Sequence, residues 1–371
     1  MHKNTKRLLI ATGIFPPSIG GPATYAKMLE DELPRYGVTP TVLAFDRLLH
    51  LPKGIRHLVY FWRLYKLAKD TDLIYAQDPI SVGVPALFVS YLLAKPLYLR
   101  VPGDYAWEQA CQRYGVTDLL DIFLERRDYP SAVMRLRRLE KKVANSASRI
   151  IVPSNYLKNV VLKWGIREDK ISVVANSFDG SVPSESKMVL RSELGLKTKT
   201  IISAGRMVPW KGFATLISGL SGLLKEQNIS FLIVGTGPDE IALKSLVKNL
   251  ELENNVTFLG SLDRIDLMRY LKASDTFVLN TAYEGFSHQI LEAMMCGTPV
   301  VTTSVGGNGE LIDDGVHGFL LPLNDMEMFK ERIKTLLNDP NLAEAMGLKA
   351  HERATLFTKN TALERLVSLL P

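Results

Sequence analysis

Two glutamates eight positions apart, Glu284 and Glu292, lie in the segment TAYEGFSHQILEAMMCG, Thr281–Gly297. Glu284 falls in a loop with Gly285 and Phe286. Ser287 then suits a helix start, because its side-chain oxygen can accept a backbone N–H that the helix leaves unpaired. The helix that follows is almost wholly apolar apart from Glu292, and Gly297 and Pro299 end it. A carboxylate on a buried helix needs a partner. The hydroxyl groups of a ligand would serve; so would an Arg or Lys of the chain, or solvent on an open face.

A second set of chemistry-bearing residues precedes the first. The apolar run Thr200–Ala204 leads into Gly205 and Arg206, and Trp210-Lys211-Gly212 opens a helical stretch. A lysine near a helix N-terminus opposes the partial positive charge already there. Two cations in that position make sense if an anion such as a diphosphate joins them; the alternative is that both point into water. Gly235 and Gly237, in Gly-Thr-Gly-Pro after the next apolar run, allow either close approach to a ligand or an ordinary tight turn. They do not complete G-x-G-x-x-G, and Glu251 is a poor candidate for a ribose-reading acid, which counts against a nicotinamide-dependent enzyme.

Elements able to hold these residues follow from the apolar pattern. Short strands are expected at Leu8–Ile14, Thr41–Phe45, Leu73–Ala76, Leu97–Val101 and Ile150–Pro153, separated by helical stretches such as Tyr25–Tyr36, Arg56–Lys69 and Ala132–Asn145. A polar stretch, Asn176–Lys187, reads as a linker. The alternation restarts at Thr200–Ala204, Phe231–Gly235, Val256–Leu259, Thr276–Leu279 and Pro299–Thr302. Strands alternating with helices imply two α/β domains with doubly wound parallel sheets. The expected division is 1–187 and 188–357. Ligands of such sheets bind beyond the carboxyl ends of the strands, which is where both residue sets fall.

Composition is that of an ordinary globular chain: 371 residues, 46% hydrophobic and 23% charged. Cys111 and Cys296 lie far apart without metal-ligand spacing, which argues against a disulfide framework or a zinc site and for buried thiols in a reducing, cytoplasmic compartment. Net charge is +6, divided as +9 over residues 1–187 and −3 over the rest. A basic half is either a solvated face or a surface for an acidic partner. The start, MHKNTKRLLIATGIF, imitates a signal peptide but lacks a small-residue cleavage site, so a buried first strand is expected. Ile80–Ala94 is too short to span a bilayer and reads as a buried helix.

Glu-x7-Glu is followed by Cys-Gly-Thr-Pro-Val-Val and Gly-Gly-Asn-Gly-Glu-Leu-Ile. Together with PPSIGGPATY near the start, the Gly-Arg…Lys-Gly pair and the Gly-Thr-Gly turn, in that order, this resembles the family-4 retaining glycosyltransferases of the GT-B fold over nearly the whole chain. The resemblance implies two Rossmann-like domains facing each other across a cleft, with a last helix, about 358–371, returning to the first. Arg206 and Lys211 would hold the diphosphate of a nucleotide-sugar donor, and Glu292 would bind its ribose. Glu284 and the backbone of Gly285, Phe286 and Ser287 would meet the donor sugar and phosphates. Gly20 and Gly21 would form a loop that closes over the donor. The reaction implied is transfer to an acceptor hydroxyl with retained anomeric configuration, without cofactor or metal.

The chain departs from the pattern where many relatives carry a histidine: it reads Arg100-Val-Pro-Gly-Asp104, so Asp104 is the candidate to meet the sugar or the acceptor, with Gln77 and Asp78 at the preceding strand end. Either could instead be a structural turn residue. His288 could touch phosphate, though a surface position suits it better. Asp70-Thr71-Asp72 imitates a metal-binding signature but falls at the amino end of a strand and reads as a turn. Competing readings are a non-hydrolysing nucleotide-sugar epimerase and a non-catalytic scaffold of a glycan assembly complex. No aromatic-interleaved basic motif supports nucleic-acid binding. The expected setting is polysaccharide or glycolipid synthesis with a glycan or lipid-linked acceptor. The chain is then cytoplasmic, with peripheral attachment to an anionic membrane through the basic, aromatic run Arg56–Lys69 and the second basic helix Arg135–Lys142.

Overall fold

The structure, a computed structural model, describes residues 6–18 and 20–371. The chain divides into two compact units, Met1–Ala175 with Asn360–Pro371, and Asn176–Lys359. The polar stretch Asn176–Lys187 belongs to the second unit. The Asn176 amide donates to the Phe286 carbonyl at 2.9 Å, the Phe178 N–H to that of Phe357 at 3.0 Å, and Lys187 pairs with Asp275 at 2.7 Å.

In the first unit, strands β1 (Lys6–Thr12), β2 (Val38–Ala44), β3 (Leu73–Ala76), β4 (Leu97–Arg100), β5 (Arg149–Val152) and β6 (Ile171–Val173) form one parallel sheet in the order β2-β1-β3-β4-β5-β6. Its helices are α1 (Gly21–Glu32), α2 (Lys53–Lys69), α3 (Gly83–Leu93), α4 (Tyr105–Tyr114), α5 (Leu120–Glu125), α6 (Ser131–Ser146) and α7 (Asn155–Lys163). The step from β1 to β2 runs one way across the sheet and every later step the other way. Right-handed crossovers therefore put α1 on one face and α2, α3 and α6 on the other.

The second unit repeats the scheme. Strands β7 (Thr200–Ala204), β8 (Ser230–Val234), β9 (Val256–Gly260), β10 (Thr276–Leu279), β11 (Val300–Thr303) and β12 (Gly318–Leu321) form a parallel sheet in the order β12-β11-β10-β7-β8-β9. Its helices are α8 (Lys187–Glu193), α9 (Phe213–Glu226), α10 (Glu240–Asn249), α11 (Arg264–Ala273), α12 (His288–Met295), α13 (Asn308–Leu311), α14 (Met326–Asn338) and α15 (Pro340–Ala354). Strands β3, β4, β7, β10 and β11 are buried along their whole length, which is why their sequences read as mainly apolar or β-branched runs, interrupted only by Arg100 in β4 and Ser203 in β7.

The last helix, α16 (Lys359–Leu369), supplies Ala362, Leu363, Leu366 and the following Leu370 to the core of the first unit, against Tyr25, Leu29, Leu8 and Ile10. The Tyr98 hydroxyl donates to the Leu369 carbonyl at 2.8 Å. Each fully buried leucine of this kind contributes about 1.5–3 kcal/mol.

One expected element differs. The apolar segment 80–94, read as a buried helix, is α3 with an open outer side: Phe88, Tyr91 and Leu92 are exposed. Its inner side, Ala86, Leu87 and Val89, covers the sheet, so hydrophobicity alone concealed a two-faced helix. Among the described residues no helix is long and apolar enough to cross a membrane.

Candidate functional site

The loop after β7 and the loop after β10 are fastened to each other by backbone. A single turn, Pro209–Lys211, precedes α9, and Gly212 joins them with φ +65°. A Cβ at Gly212 would strike the Asn280 carbonyl, so only glycine permits this approach. The Trp210 carbonyl accepts from the Ala282 N–H at 2.7 Å and the Thr281 hydroxyl at 3.1 Å. Lys211 is thereby delivered to Glu284: its ammonium donates directly to the Glu284 carboxylate, and both side chains are nearly buried. The lysine that opposes the helix dipole is balanced within the chain. Arg206 is exposed, and among the described residues it pairs with no carboxylate.

The glutamate loop is held from its other side too. The Gly307 N–H donates to the Glu284 carbonyl at 2.8 Å, and a Cβ at Gly306, φ +67°, would overlap that carbonyl. The Phe286 ring meets Phe357 with centroids 5.2 Å apart. Ser287 caps α12, its hydroxyl accepting the Ile290 N–H at 3.3 Å. His288 stands half-buried on the first turn.

Glu292 lies further along α12 and is 9% exposed. Burial pushes its carboxyl up to about 7, although Arg264, at 3.4 Å, pulls the other way. Of the partners open to a buried carboxylate, the chain supplies an arginine. Arg264 was not singled out in the sequence. It opens α11 after the capping Asp263 and lies over the Phe178 ring at 5.1 Å. The signal that identified Lys211, a cation at a helix N-terminus, also applies to it. Asn280 was missed as well: its side chain exchanges hydrogen bonds with Asn324, donating at 2.8 Å and accepting from its N–H at 3.0 Å, which fixes the loop after β12.

Gly235 and Gly237 work as spacers. A Cβ at Gly235, φ +121°, would collide with the Gly205 carbonyl, and one at Gly237 with the backbone of Met207. The structure thus gathers Gly205, Arg206, Lys211, Gly235, Gly237, Glu284, Gly285, Phe286, Ser287 and Glu292 in the second unit, around the loops that leave β7, β8 and β10 and the helix α12.

Gly20, Gly21 and Asp104 belong to the first unit. Gly20 and Gly21 begin α1 after the loop that leaves β1; Ile19, in the same motif, lies outside the described residues, as do Met1–Thr5 of the signal-like start. Asp104 is buried within the first unit. It is 1% exposed, caps α4 by accepting the Trp107 N–H at 2.8 Å, and accepts the Trp164 indole N–H at 3.1 Å. Each of its oxygens accepts a hydrogen bond from within the unit, and the cap positions α4. Asp78 accepts the N–H groups of Ile80 and Ser81 and is a turn residue; Gln77 is buried beside Thr12. Asp72 accepts the Arg7 N–H at 2.8 Å at the amino end of β3.

Cys111 and Cys296 are free, half-buried thiols, each pushed up to about 12 by burial. A hollow of about 670 Å³ lies at the amino ends of β7, β10 and β11, lined by Lys199, Asp275, Thr298 and Leu337 among others. It is the wrong end of the sheet for a ligand of this architecture. Among the described residues no group of three or more His, Cys, Asp or Glu side chains is placed to hold a metal ion.

Two doubly wound parallel sheets, one carrying cations and glycine turns at its strand ends, define a class that handles nucleotide-like ligands. The Glycosyl transferases group 1 profile matches residues 188–353, and Glycosyltransferase Family 4 matches residues 19–181. The chain belongs to the group 1 glycosyltransferases, and its fold is the two-domain GT-B fold.

It is 34% identical over 178 residues to an uncharacterised glycosyltransferase of Methanocaldococcus jannaschii, covering 46% of each chain. It is 25% identical over 335 residues to N-acetylgalactosamine-N,N'-diacetylbacillosaminyl-diphospho-undecaprenol 4-alpha-N-acetylgalactosaminyltransferase of Campylobacter jejuni, covering 80% of this chain and 90% of that one. Several of the curated relatives are matched over only about half their length. Among solved structures it resembles Anabaena HepE in complex with UDP and glucose, with a TM-score of 0.78 and 22% identity over 98% of this chain and 99% of that one.

Proposed function

We propose that this chain transfers a sugar from a nucleoside-diphosphate sugar to an acceptor hydroxyl, retaining the anomeric configuration and needing no metal. The observation that carries the reading is the second unit's assembly of Arg206, Lys211 and Glu284 on interlocked loops, with Glu292 on the helix that follows. The barrier to such a transfer is charge separation between a cationic sugar and a departing diphosphate. Arg206, Lys211 and the N-terminus of α12 stabilise the leaving charge where it develops. The bond from the anomeric carbon to the diphosphate oxygen breaks, and its electron pair leaves with the diphosphate. The acceptor oxygen bonds to the same carbon on the same face, and its proton passes to the departing phosphate oxygen. Glu292 takes the ribose hydroxyls, and Glu284 lies against the donor sugar. The name of the Campylobacter relative, which contains diphospho-undecaprenol, supports a lipid-linked acceptor, and the UDP and glucose in the Anabaena complex support a nucleotide-sugar donor. The setting of the reading is polysaccharide or glycolipid synthesis on the cytoplasmic side of a membrane.

A panel of nucleotide sugars tests this. One donor should raise the melting temperature and be consumed only when an acceptor is present. Turnover should persist in excess chelator; activity that disappears and returns with manganese overturns the metal-free mechanism. Interconversion of free nucleotide sugars without acceptor would replace transfer with epimerisation.

A further inference from the structure

On one face of the first sheet α2, α3 and α6 lie side by side, α3 packed between the other two. Their outer sides carry an unusual pairing. Ile55, Leu58 and Trp62 of α2 and Phe88, Tyr91 and Leu92 of α3 are exposed, each by more than half. Single exposed apolar residues are ordinary, but six on adjacent helices form a patch that soluble surfaces seldom leave bare. Around them stand exposed cations: Lys53, Arg63, Lys66 and Lys69 on α2, and Arg135, Arg138 and Lys142 on α6. Among the described residues none of these seven pairs with a carboxylate. The three helices contain one acid, Glu140, which is buried and accepts the N–H groups of Tyr105 and Ala106; exposed acids stand beyond their ends, at Asp70 after α2 and at Asp128 before α6, where Asp128 is paired with Arg126.

We propose that this face docks on an anionic lipid bilayer. Trp62, Phe88, Tyr91 and Leu92 enter the boundary between headgroups and acyl chains, and the cations of α2 and α6 meet lipid phosphates. Charge complementarity selects this occupant: a predominantly cationic rim around aromatic and aliphatic groups matches an interface of anionic headgroups over hydrocarbon. Geometry within α2 agrees. Trp62 lies edge-on to Tyr65, centroids 5.8 Å apart, and the Lys69 ammonium sits 4.8 Å above the Tyr65 ring. An aromatic body with a cation at its polar end is suited to the headgroup level. The proposal rests on the reading of a membrane-borne acceptor, and it moves the main apolar contact from α2, where the sequence suggested it, to α3.

The test is flotation of the full chain with phosphatidylcholine vesicles, with and without phosphatidylglycerol. The wild type should bind only the anionic vesicles, and less so in high salt. The triple variant Phe88→Ser, Tyr91→Ser, Leu92→Ser should bind about tenfold more weakly or worse. The quadruple variant Lys66→Gln, Lys69→Gln, Arg135→Gln, Arg138→Gln should lose the preference for phosphatidylglycerol. Both variants should keep the wild-type melting temperature and nucleoside-diphosphate affinity, since every changed side chain is exposed. Failure of the wild type to bind anionic vesicles, or undiminished binding by the triple variant, overturns the proposal. So does a triple variant that turns a lipid-free dimer into a monomer while vesicle binding is unchanged, which assigns the face to a second copy of the chain. Transfer to a soluble acceptor without vesicles is measured in parallel. Its absence alongside intact vesicle binding removes the transferase reading and leaves the docking face standing.

Discussion

Glu284 and Glu292 belong to one loop-and-helix segment, yet their surroundings differ in kind. Glu284 is fixed through its main chain, by Gly307 and the crowding of Gly306, and its carboxylate is claimed by Lys211. Glu292 sits on a regular helix turn, and its ion pair with Arg264 is long enough, at 3.4 Å, that burial prevails and lifts its carboxyl to about 7. In the proposed reaction the first glutamate has a competitor for its cation, because an arriving diphosphate would also take Lys211. The second would be held short of full ionisation until a donor hydroxyl reached it. The lesson is that the partner and the desolvation, rather than the residue type, assign the role.

The largest expected effect comes from removing the cations. Arg206→Ala with Lys211→Ala should weaken nucleoside-diphosphate binding roughly a hundredfold to ten-thousandfold by calorimetry, two charge-assisted contacts being lost together. Glu284→Gln comes next and tests the competition. Turnover should fall roughly a hundredfold, as expected for a group beside developing charge. Nucleoside-diphosphate affinity should stay within a few-fold, or rise, because Lys211 is released; a large loss of affinity would reverse the two assignments. Glu292→Gln should weaken nucleotide binding by roughly tenfold to a hundredfold and leave turnover at saturating donor nearly unchanged.

A finer distinction is pH dependence. The carboxyl of Glu292 titrates higher in the folded chain than its ordinary value, so its contribution to stability is complete at acid pH below that value and fades as the pH rises through about 7. Ribose hydroxyls donate to the ionised form, so affinity moves the other way. Nucleotide binding should strengthen roughly tenfold between about pH 6 and about pH 8, and Glu292→Gln should erase that change. The smallest effect on ligand binding belongs to Asp104→Ala. It should cost about 1–3 kcal/mol of stability in chemical denaturation through the lost helix cap and indole contact. Nucleotide affinity should not move; if it did, Asp104 would be acting at the donor site as well as capping α4.

Much of this was legible in the sequence because parallel strands buried on both faces are written as uninterrupted apolar runs. Leu73–Ala76, Thr200–Ala204 and Thr276–Leu279 are strands with the expected bounds. β6, Ile171–Val173, escaped notice because three residues carry too little pattern to stand out from a loop, and β12, Gly318–Leu321, because it opens on a glycine, a residue depleted in strands. The loops of the site were found because they break local rules: a lysine at a helix start, a glutamate on an apolar helix, glycines after strands. Arg264 breaks the same rule as Lys211, but its role depends on Glu292 arriving from another helix, which spacing along the chain does not disclose. Asp104 shows what spacing leaves out. A carboxylate at a strand's carboxyl end looks reactive until the Trp164 indole, sixty positions away, is seen to occupy its second oxygen.

The contacts at Gly212, Gly235, Gly237 and Gly306 have a bearing on how the protein can diverge. Each sets main chain against main chain with no side chain between. Such a frame offers no rotamers to readjust, so one added methyl group there must separate two loops rather than reshape a wall. Changes of sugar preference are therefore confined to the side chains the frame projects. A Gly306→Ala chain would displace Glu284 while leaving every charge in place, a means of altering distance at the site without altering its chemistry.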